Sequence, residues 1–316
     1  MARRRNRGRP VHGILLLDKP IGITSNKALQ IARRCYDAAK AGHTGSLDPA
    51  ASGLLPLCFG EATKVSGYLL DADKEYETVA HFGIRTDTAD ADGNIVERSD
   101  LNTVTPAQLE GALAALRGPI EQVPPMYSAL RHEGQRLYKL AREGAEVERQ
   151  ARPVTIHELE VVDFDPQQPR LRVRCSKGTY IRTLVEDIAA QLGTVAHVAA
   201  LHRTAVGPFG GQDMTPLATV EALAGDAAAL DALLLPVDSG LQAFPALQLG
   251  PTEAFYVVRG QPVAVADAPD GLVRLYGDGG TLLGMGEVAG GQVAPKRLFP
   301  GLLEGPPGAA NSEKNP

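Results

Sequence analysis

The first apolar run, Gly13 to Leu17, is short and unbroken, which predicts a buried strand ended by Asp18, Lys19 and Pro20. Thr24 or Ser25 can cap a following helix whose inner face carries Ala28, Ile31, Ala32 and Cys35. A turn-rich segment from His43 to Ser52 then leads into an apolar stretch through Leu57. From Tyr76 to Phe82 the pattern alternates, placing Tyr76, Thr78, Ala80 and Phe82 on one face of a strand. The acidic segment Asp87 to Asp92 reads as a loop. Thr105, Pro106 and Gln108 make a capping-box pattern with proline at the first helical position. Leu109, Leu113 and Leu116 give that helix its stripe, and Gly118 can end it. Pro124 and Pro125 break regular structure, and a polar helix containing Gly134 and Tyr138 is predicted to follow, to about Arg142. Arg170 to Ser176 alternates strictly, with Leu171, Val173 and Cys175 inward and Arg170, Arg172 and Arg174 outward. The next helix carries Ile181, Leu184, Ile188 and Leu192 on one side and can close at Gly193.

Residues 216–242 are Ala/Leu-rich and read as helical, and Pro245 to Gly250 reads as a domain junction. Beyond it the chain is rich in Gly, with short Val/Leu strands at Gly271 to Tyr276 and Leu282 to Val288, the pattern of a small β-barrel-like module. Strands and helices mix without regular βαβ alternation, no Gly-x-Gly-x-x-Gly opens a helix after a strand, and there is no Walker A sequence. The class expected is α+β, with a second small β module.

Composition narrows the chemistry. A chain of 316 residues suggests two domains. No apolar run is long enough to span a membrane, and nothing resembles a signal peptide. Cys35, Cys58 and Cys175 have neither paired nor metal-ligand spacing, so a cytoplasmic chain without disulfides or zinc is expected. Asp87, Asp90 and Asp92 resemble a calcium loop only superficially, because the closing Glu is missing. The net charge of −5 is unevenly spread: +7 over residues 1–70, −7 over 71–129, +2 over 130–210 and −7 over 211–316. Phosphate binding needs a local positive surface rather than a basic average, and here the basic charge gathers in the first segment.

That segment holds the densest chemical signal, His43, Thr44, Gly45, Ser46, Leu47, Asp48 and Pro49, running on to Leu55. One carboxylate stands among small, turn-forming and apolar residues. Gly45 and Gly53 permit conformations other residues resist, and Pro49 fixes φ just after the acid. Alone, an Asp before Pro is a turn residue. Read with Gly13 to Pro20, Thr63 to Tyr76 and Gly178 to Leu184, however, the segment closely resembles the bacterial tRNA pseudouridine-55 synthases of the TruB type, over roughly residues 12–300.

The resemblance implies a mixed, mainly antiparallel catalytic domain over residues 11–245, with an RNA-gripping insertion at about 124–152. It also implies a PUA-type RNA-binding domain over 246–303, flanked by disordered tails at 1–10 and 304–316. Asp48 is then the catalytic carboxylate, Arg182 its electrostatic partner and Tyr76 the base-stacking residue, able to accept or donate a proton. His43 would fill the space left by an everted nucleotide, and Tyr180 and Leu201 would shape the pocket. Lys19 matches a position near the cleft, as a structural group or phosphate contact. RNA-facing residues would be Arg131, Arg136, Tyr138 and Arg142 in the insertion and Lys296 and Arg297, with Arg274, in the last domain. Such an enzyme needs no metal, nucleotide or organic cofactor, and acts on the T stem-loop of tRNA, here expected as a monomer. The competing readings are a tRNA-binding chaperone without chemistry, which would not need Asp48 or Arg182, and a glycoside hydrolase, which would need a second flanking acid.

Overall fold

The structure is a computed structural model that describes residues 8–100 and 104–303. The terminal stretches 1–7 and 304–316 and the side chain of Arg142 lie outside the described residues.

One large sheet runs in the order Thr215–Pro216, Gly13–Lys19, Ala51–Phe59, Ala196–Val206, Lys74–Phe82, Arg170–Cys175, Arg152–Asp163, Gly118–Gln122. Its neighbours are antiparallel except at Thr215–Pro216 against Gly13–Lys19 and at Ala51–Phe59 against Ala196–Val206. Strand Gly13–Lys19 is covered on both faces. Leu15 and Leu17 pack beneath the helices Ser25–Cys35 and Leu217–Ala222, while Ile14 and Leu16 join Leu54, Val65 and Val237 on the other side. Two-sided burial explains why this strand is a continuous apolar run rather than an alternating one. It also runs two residues further than its apolar run, through Asp18 to Lys19.

The alternating strands fall where the pattern put them. Tyr76, Thr78, Ala80 and Phe82 are buried along Lys74–Phe82, and Leu171, Val173 and Cys175 along Arg170–Cys175. Above them lie the helices Pro106–Leu116 and Ile181–Gln191, whose Leu109, Leu113, Leu184, Val185 and Ile188 close one core. The capping box forms, with Thr105 Oγ1 accepting from Gln108 N–H at 3.3 Å and Gln108 Oε1 accepting from Thr105 N–H at 2.9 Å.

The second sheet is five-stranded, ordered Ala246–Gln248, Gly271–Tyr276, Leu282–Ala289, Gln292–Leu298, Val263–Ala264. It shares a core with the large sheet through Leu282, Met285 and Phe299, and Lys64 Nζ donates to Leu298 O at 2.9 Å. The fold is α+β, mainly antiparallel, with a C-terminal half-barrel.

Several expectations need correcting. The segment after Pro125 is not one polar helix. It begins as a hairpin of Arg131–His132 and Gln135–Arg136 and becomes helical only over Leu137–Arg142. Glu133 (φ 48°) and Gly134 (φ 84°) both adopt the left-handed region, as a tight two-residue hairpin turn requires. Residues 216–242 are helical as expected, in three short pieces broken around Gly225 and Pro236. Just past Pro245, Ala246–Gln248 already forms an edge strand of the second sheet, inside the domain expected from residue 246. Arg9, assigned to the basic tail, is fastened instead: its guanidinium pairs with Asp231 at 2.9 Å, and its N–H donates to Asp37 O.

Candidate active site

The parallel pair at the centre of the large sheet creates the site. Strand Ala51–Phe59 starts beside Leu201 of strand Ala196–Val206, with Leu201 opposite Ala51 and Arg203 opposite Gly53. The loop carrying Asp48 enters at this point. Ser25 fastens it twice, its hydroxyl accepting from Leu47 N–H at 2.7 Å and donating to Leu47 O at 3.1 Å. Gly22 N–H donates to Pro49 O, and Ala51 N–H donates back to Asp48 O. Thr44 is fully buried, its N–H bonded to Pro56 O. Gly53 has φ 99° and lies so close to the neighbouring strand that a Cβ would sit 2.4 Å from Arg203 O. The short, small-residue composition of the loop is what this packing requires.

Arg182 stands at the first turn of helix Ile181–Gln191, 4 % exposed. Its Nη2 lies 3.0 Å from Asp48 Oδ2 and donates to Tyr127 O at 2.7 Å, while Nη1 donates to Thr88 O at 2.9 Å. A second carboxylate, Asp90, sits 3.9 Å from Arg182 Nε. Asp90 is itself held by Thr88 Oγ1 at 2.6 Å and by Asp92 N–H at 3.1 Å. The guanidinium is thus fixed by two carbonyls and two carboxylates, and Asp48 is its exposed end. Asp48, Asp90, Arg182, Ala200 and Leu201 line one cleft.

The Asp48 side chain retains 42 % of its surface but lies at the cleft floor, walled by protein. Burial raises its pKa above the ordinary carboxylate value. Arg182 and Lys19 oppose the rise, and Asp90 adds to it. The carboxylate is therefore more basic and less solvated than a surface aspartate, which suits attack or charge stabilisation at a carbon centre.

The other expected residues divide. Tyr76 is buried in strand Lys74–Phe82, opposite Arg203 across the ladder. Tyr180 caps helix Ile181–Gln191 and is half-buried; burial raises its pKa. His43 ends the edge strand Ala41–His43, half-buried, and its Nδ1 has no hydrogen-bond partner among the described residues. Burial, then the charge of Arg203, lowers its pKa. Lys19 is fully buried and structurally engaged: Nζ donates to Pro20 O and Ile23 O, both at 2.8 Å, and burial lowers its pKa to about 8.

Away from the cleft, Arg131 and Arg136 face each other across the exposed hairpin, and Tyr138 lies on the short helix after it. Lys296 is exposed but pairs with Glu287 at 2.6 Å, whereas Arg297 is simply exposed. Arg274, proposed from the sequence as an RNA contact, is a brace. Its Nε donates to Phe244 O at 2.9 Å and Nη1 contacts Tyr276 Oη, which donates to Asp238 at 2.6 Å.

Two residues of the site escaped the sequence reading. Asp90 looked like part of an acidic loop. Gln122, 2 % exposed, clamps the backbone of Tyr180, accepting from its N–H at 2.7 Å and donating to its carbonyl at 3.1 Å. Gln122→Leu would strand the Tyr180 N–H in the interior, because the carbonyl still accepts from Leu184 N–H. The expected result is a stability loss of about 1–3 kcal/mol in urea unfolding. A lower turnover is expected with it, since the clamp sets the helix end that carries Arg182.

Solved structures share this fold. An archaeal box H/ACA sRNP Nop10–Cbf5 complex aligns with a TM-score of 0.69 at 22 % identity, covering 94 % of this chain and 92 % of that one. A Cbf5–Nop10–Gar1 complex aligns at 0.70 and 23 %, covering 95 % and 91 %. The fold, with a carboxylate–guanidinium pair in its central cleft, is that of the pseudouridine synthases. Residues 33–181 match the TruB family pseudouridylate synthase N-terminal domain, 182–242 the tRNA pseudouridylate synthase B C-terminal domain, and 245–299 the pseudouridine synthase II TruB C-terminal domain. The chain is 57 % identical over 295 residues to the tRNA pseudouridine synthase B of Stutzerimonas stutzeri (strain A1501), covering 92 % of this chain and 96 % of that one. It is 52 % identical over 299 residues to that of Nitrosococcus oceani, covering 94 % and 97 %. The chain belongs to the TruB family of pseudouridine synthases.

Proposed function

We propose that the chain converts uridine 55 in the T loop of tRNA to pseudouridine, with Asp48 as the catalytic carboxylate. The observation that carries this reading is the Asp48–Arg182 pair, 3.0 Å apart at the floor of a cleft with Leu201 on its wall. The relatives named tRNA pseudouridine synthase B support tRNA as the substrate.

In the reaction the N1–C1′ bond of uridine breaks, the uracil turns, C5 bonds to C1′, and the C5 proton leaves while N1 gains one. Asp48 attacks the sugar or the base, or stabilises the glycal route. Arg182 holds the carboxylate and its charge, and Tyr76 stacks on the base. Tyr180 and Leu201 confine it. His43 takes the place of the everted nucleotide, whose removal from the stack costs a few kcal/mol. Lys19 organises the loop Pro20 to Ile23 beside the cleft. Arg131, Arg136, Tyr138 and Arg142 grip the RNA, and Arg297 and Lys296 add contacts from the PUA-type domain. The protein works in the cytoplasm as a monomer without an added cofactor. No helix among the described residues is long and apolar enough to cross a membrane.

The test is chemical mapping of unmodified tRNA transcript after incubation with the protein. Pseudouridine is expected at one T-loop uridine, and none in a transcript where that uridine is replaced by cytidine. Modification at several unrelated uridines, or binding without product, would overturn the assignment, the latter in favour of a chaperone.

A further inference from the structure

Arg203 is 1 % exposed and heads the fully buried side chains among the described residues. A guanidinium does not shed its proton on burial, so its charge must be compensated in place. Nε donates to Leu54 O at 2.7 Å and Nη2 to Gly45 O at 3.4 Å. Among the described residues no carboxylate lies within ion-pair distance of it. Other cations stand nearby instead. Lys19 and Lys74 are each lowered to about 8, first by burial, with the charge of Arg203 adding to the effect. Lys74 Nζ is committed to Leu70 O and Ala72 O, as Lys19 is to Pro20 O and Ile23 O.

The scaffold nevertheless keeps this cation in place. Its backbone presses on Gly53, where no side chain fits, and its guanidinium lies under Gly45, at the base of the Asp48 loop. Across the ladder, Arg203 stands opposite Tyr76, so the two buried side chains lie side by side on one face of the sheet, and the charge of Arg203 acts on the phenol. A buried cation with no acid of its own among the described residues, paired across the ladder with a buried phenol, is arranged for an anion that exists only part of the time.

We propose that Arg203 is a positioning residue for Tyr76, holding the phenol oxygen and carrying the negative charge on it when Tyr76 takes the C5 proton. The inference rests on the function proposed above. The balance is complete. Once C5 is bonded to C1′, the C5–H electron pair restores the ring double bond and the proton passes to the phenolate oxygen of Tyr76. N1, left anionic by cleavage of N1–C1′, takes a proton from water, and Tyr76 returns its proton to water.

The charged and titratable groups acting on Tyr76 are Arg203, Cys175 and Asp48. Burial is the main reason its pKa is raised; Arg203 opposes the rise, and Cys175 and Asp48 add to it. Behind them, Arg182, Asp90 and Lys19 act on Asp48, and the charge of Arg203 acts on Lys19, His43 and Lys74. With Arg203 removed, less phenolate is present near neutrality, and a higher pH is needed to restore it.

The experiment is single-turnover pseudouridine formation between about pH 6.5 and 9.5, below the titration of any arginine. It uses wild type, Arg203→Met, Arg203→Lys, Tyr76→Phe and the double variant Tyr76→Phe/Arg203→Met. Arg203→Met should fall about 100-fold near neutrality and recover part of that loss at the alkaline end, about ten-fold per unit of pKa change. Adding it to Tyr76→Phe should cost little more. A loss of equal size at every pH, or one that adds in full to that of Tyr76→Phe, would overturn the proposal. Circular dichroism and tRNA binding report folding. If Arg203→Met does not fold, Arg203→Lys decides: an alkaline limb displaced from wild type supports the proposal, and a parallel profile overturns it. Absence of pseudouridine with wild type would instead defeat the function on which the inference rests.

Discussion

Asp48→Asn is expected to lower pseudouridine formation by at least about 10⁴-fold while tRNA affinity stays within about two-fold of wild type. The asymmetry follows from geometry. Asparagine has the same shape, and its carbonyl oxygen can still accept from Arg182 Nη2, now 3.0 Å from Asp48 Oδ2. What disappears is the charge and nucleophilicity. Affinity for RNA rests in general on cationic contacts to phosphate, to which an aspartate contributes nothing favourable. Stability should not suffer either. Burial raises the Asp48 pKa even against the opposing charge of Arg182, so the net environment disfavours the ionised form. Ionised Asp48 is therefore a stability burden above the ordinary carboxylate pKa, and one that fades as pH falls through the raised value. Asparagine lacks that burden, and thermal unfolding at neutral pH should occur no lower than in wild type. Filter binding, single-turnover assays and calorimetry check the three parts separately.

Arg182→Met should be the more damaging substitution to the whole protein. It leaves Thr88 O and Tyr127 O without their donors and leaves Asp48 and Asp90 facing each other without the cation between them. Unsatisfied buried groups of this kind cost about 1–3 kcal/mol. The cost is smaller than for a wholly buried ion pair because Asp48 keeps 42 % of its side-chain surface. Turnover near neutrality should fall about 10²- to 10³-fold, by loss of orientation and of charge stabilisation. The pH dependence gives the sharper sign. In the proposed mechanism the working form is the carboxylate, so the rate should fall as pH falls through the raised pKa of Asp48. Removing the guanidinium removes the main influence that lowers this pKa, so the acid limb of the profile must move to higher pH. An acid limb that stayed in place would mean that Arg182 does not act on Asp48.

The sequence was most legible where one physical effect ruled. Period-two burial marked Tyr76 to Phe82 and Arg170 to Ser176, and the Thr105 cap marked its helix, because half-buried strands and capped termini impose local patterns. Strand Gly118–Gln122 had no such pattern: Gly118 read as a helix stop, yet it opens an edge strand, where the following Pro119 is tolerated. The hairpin at Glu133 and Gly134 was lost to an expectation of polar helix. The Asp48 loop and Arg182 were found through family resemblance, since alone each reads as a turn residue or a surface arginine. Asp90 read only as part of an acidic loop, and Gln122 and Arg203 had no local signature. Their meaning comes from approach across the sheet and helix, at 3.9 Å from Arg182 Nε, at 2.7 Å from Tyr180 N–H, and opposite Tyr76.

The central claim is that Asp48 performs chemistry in the cleft. It is tested most directly by following tritium release from tRNA whose uridines carry tritium at C5, with wild type and Asp48→Asn at matched, saturating enzyme. Wild type should release one tritium per tRNA, from the T-loop uridine, and Asp48→Asn should bind the same tRNA and release none above background. Release by Asp48→Asn at a rate within about ten-fold of wild type would contradict the assignment of Asp48 as the catalytic carboxylate.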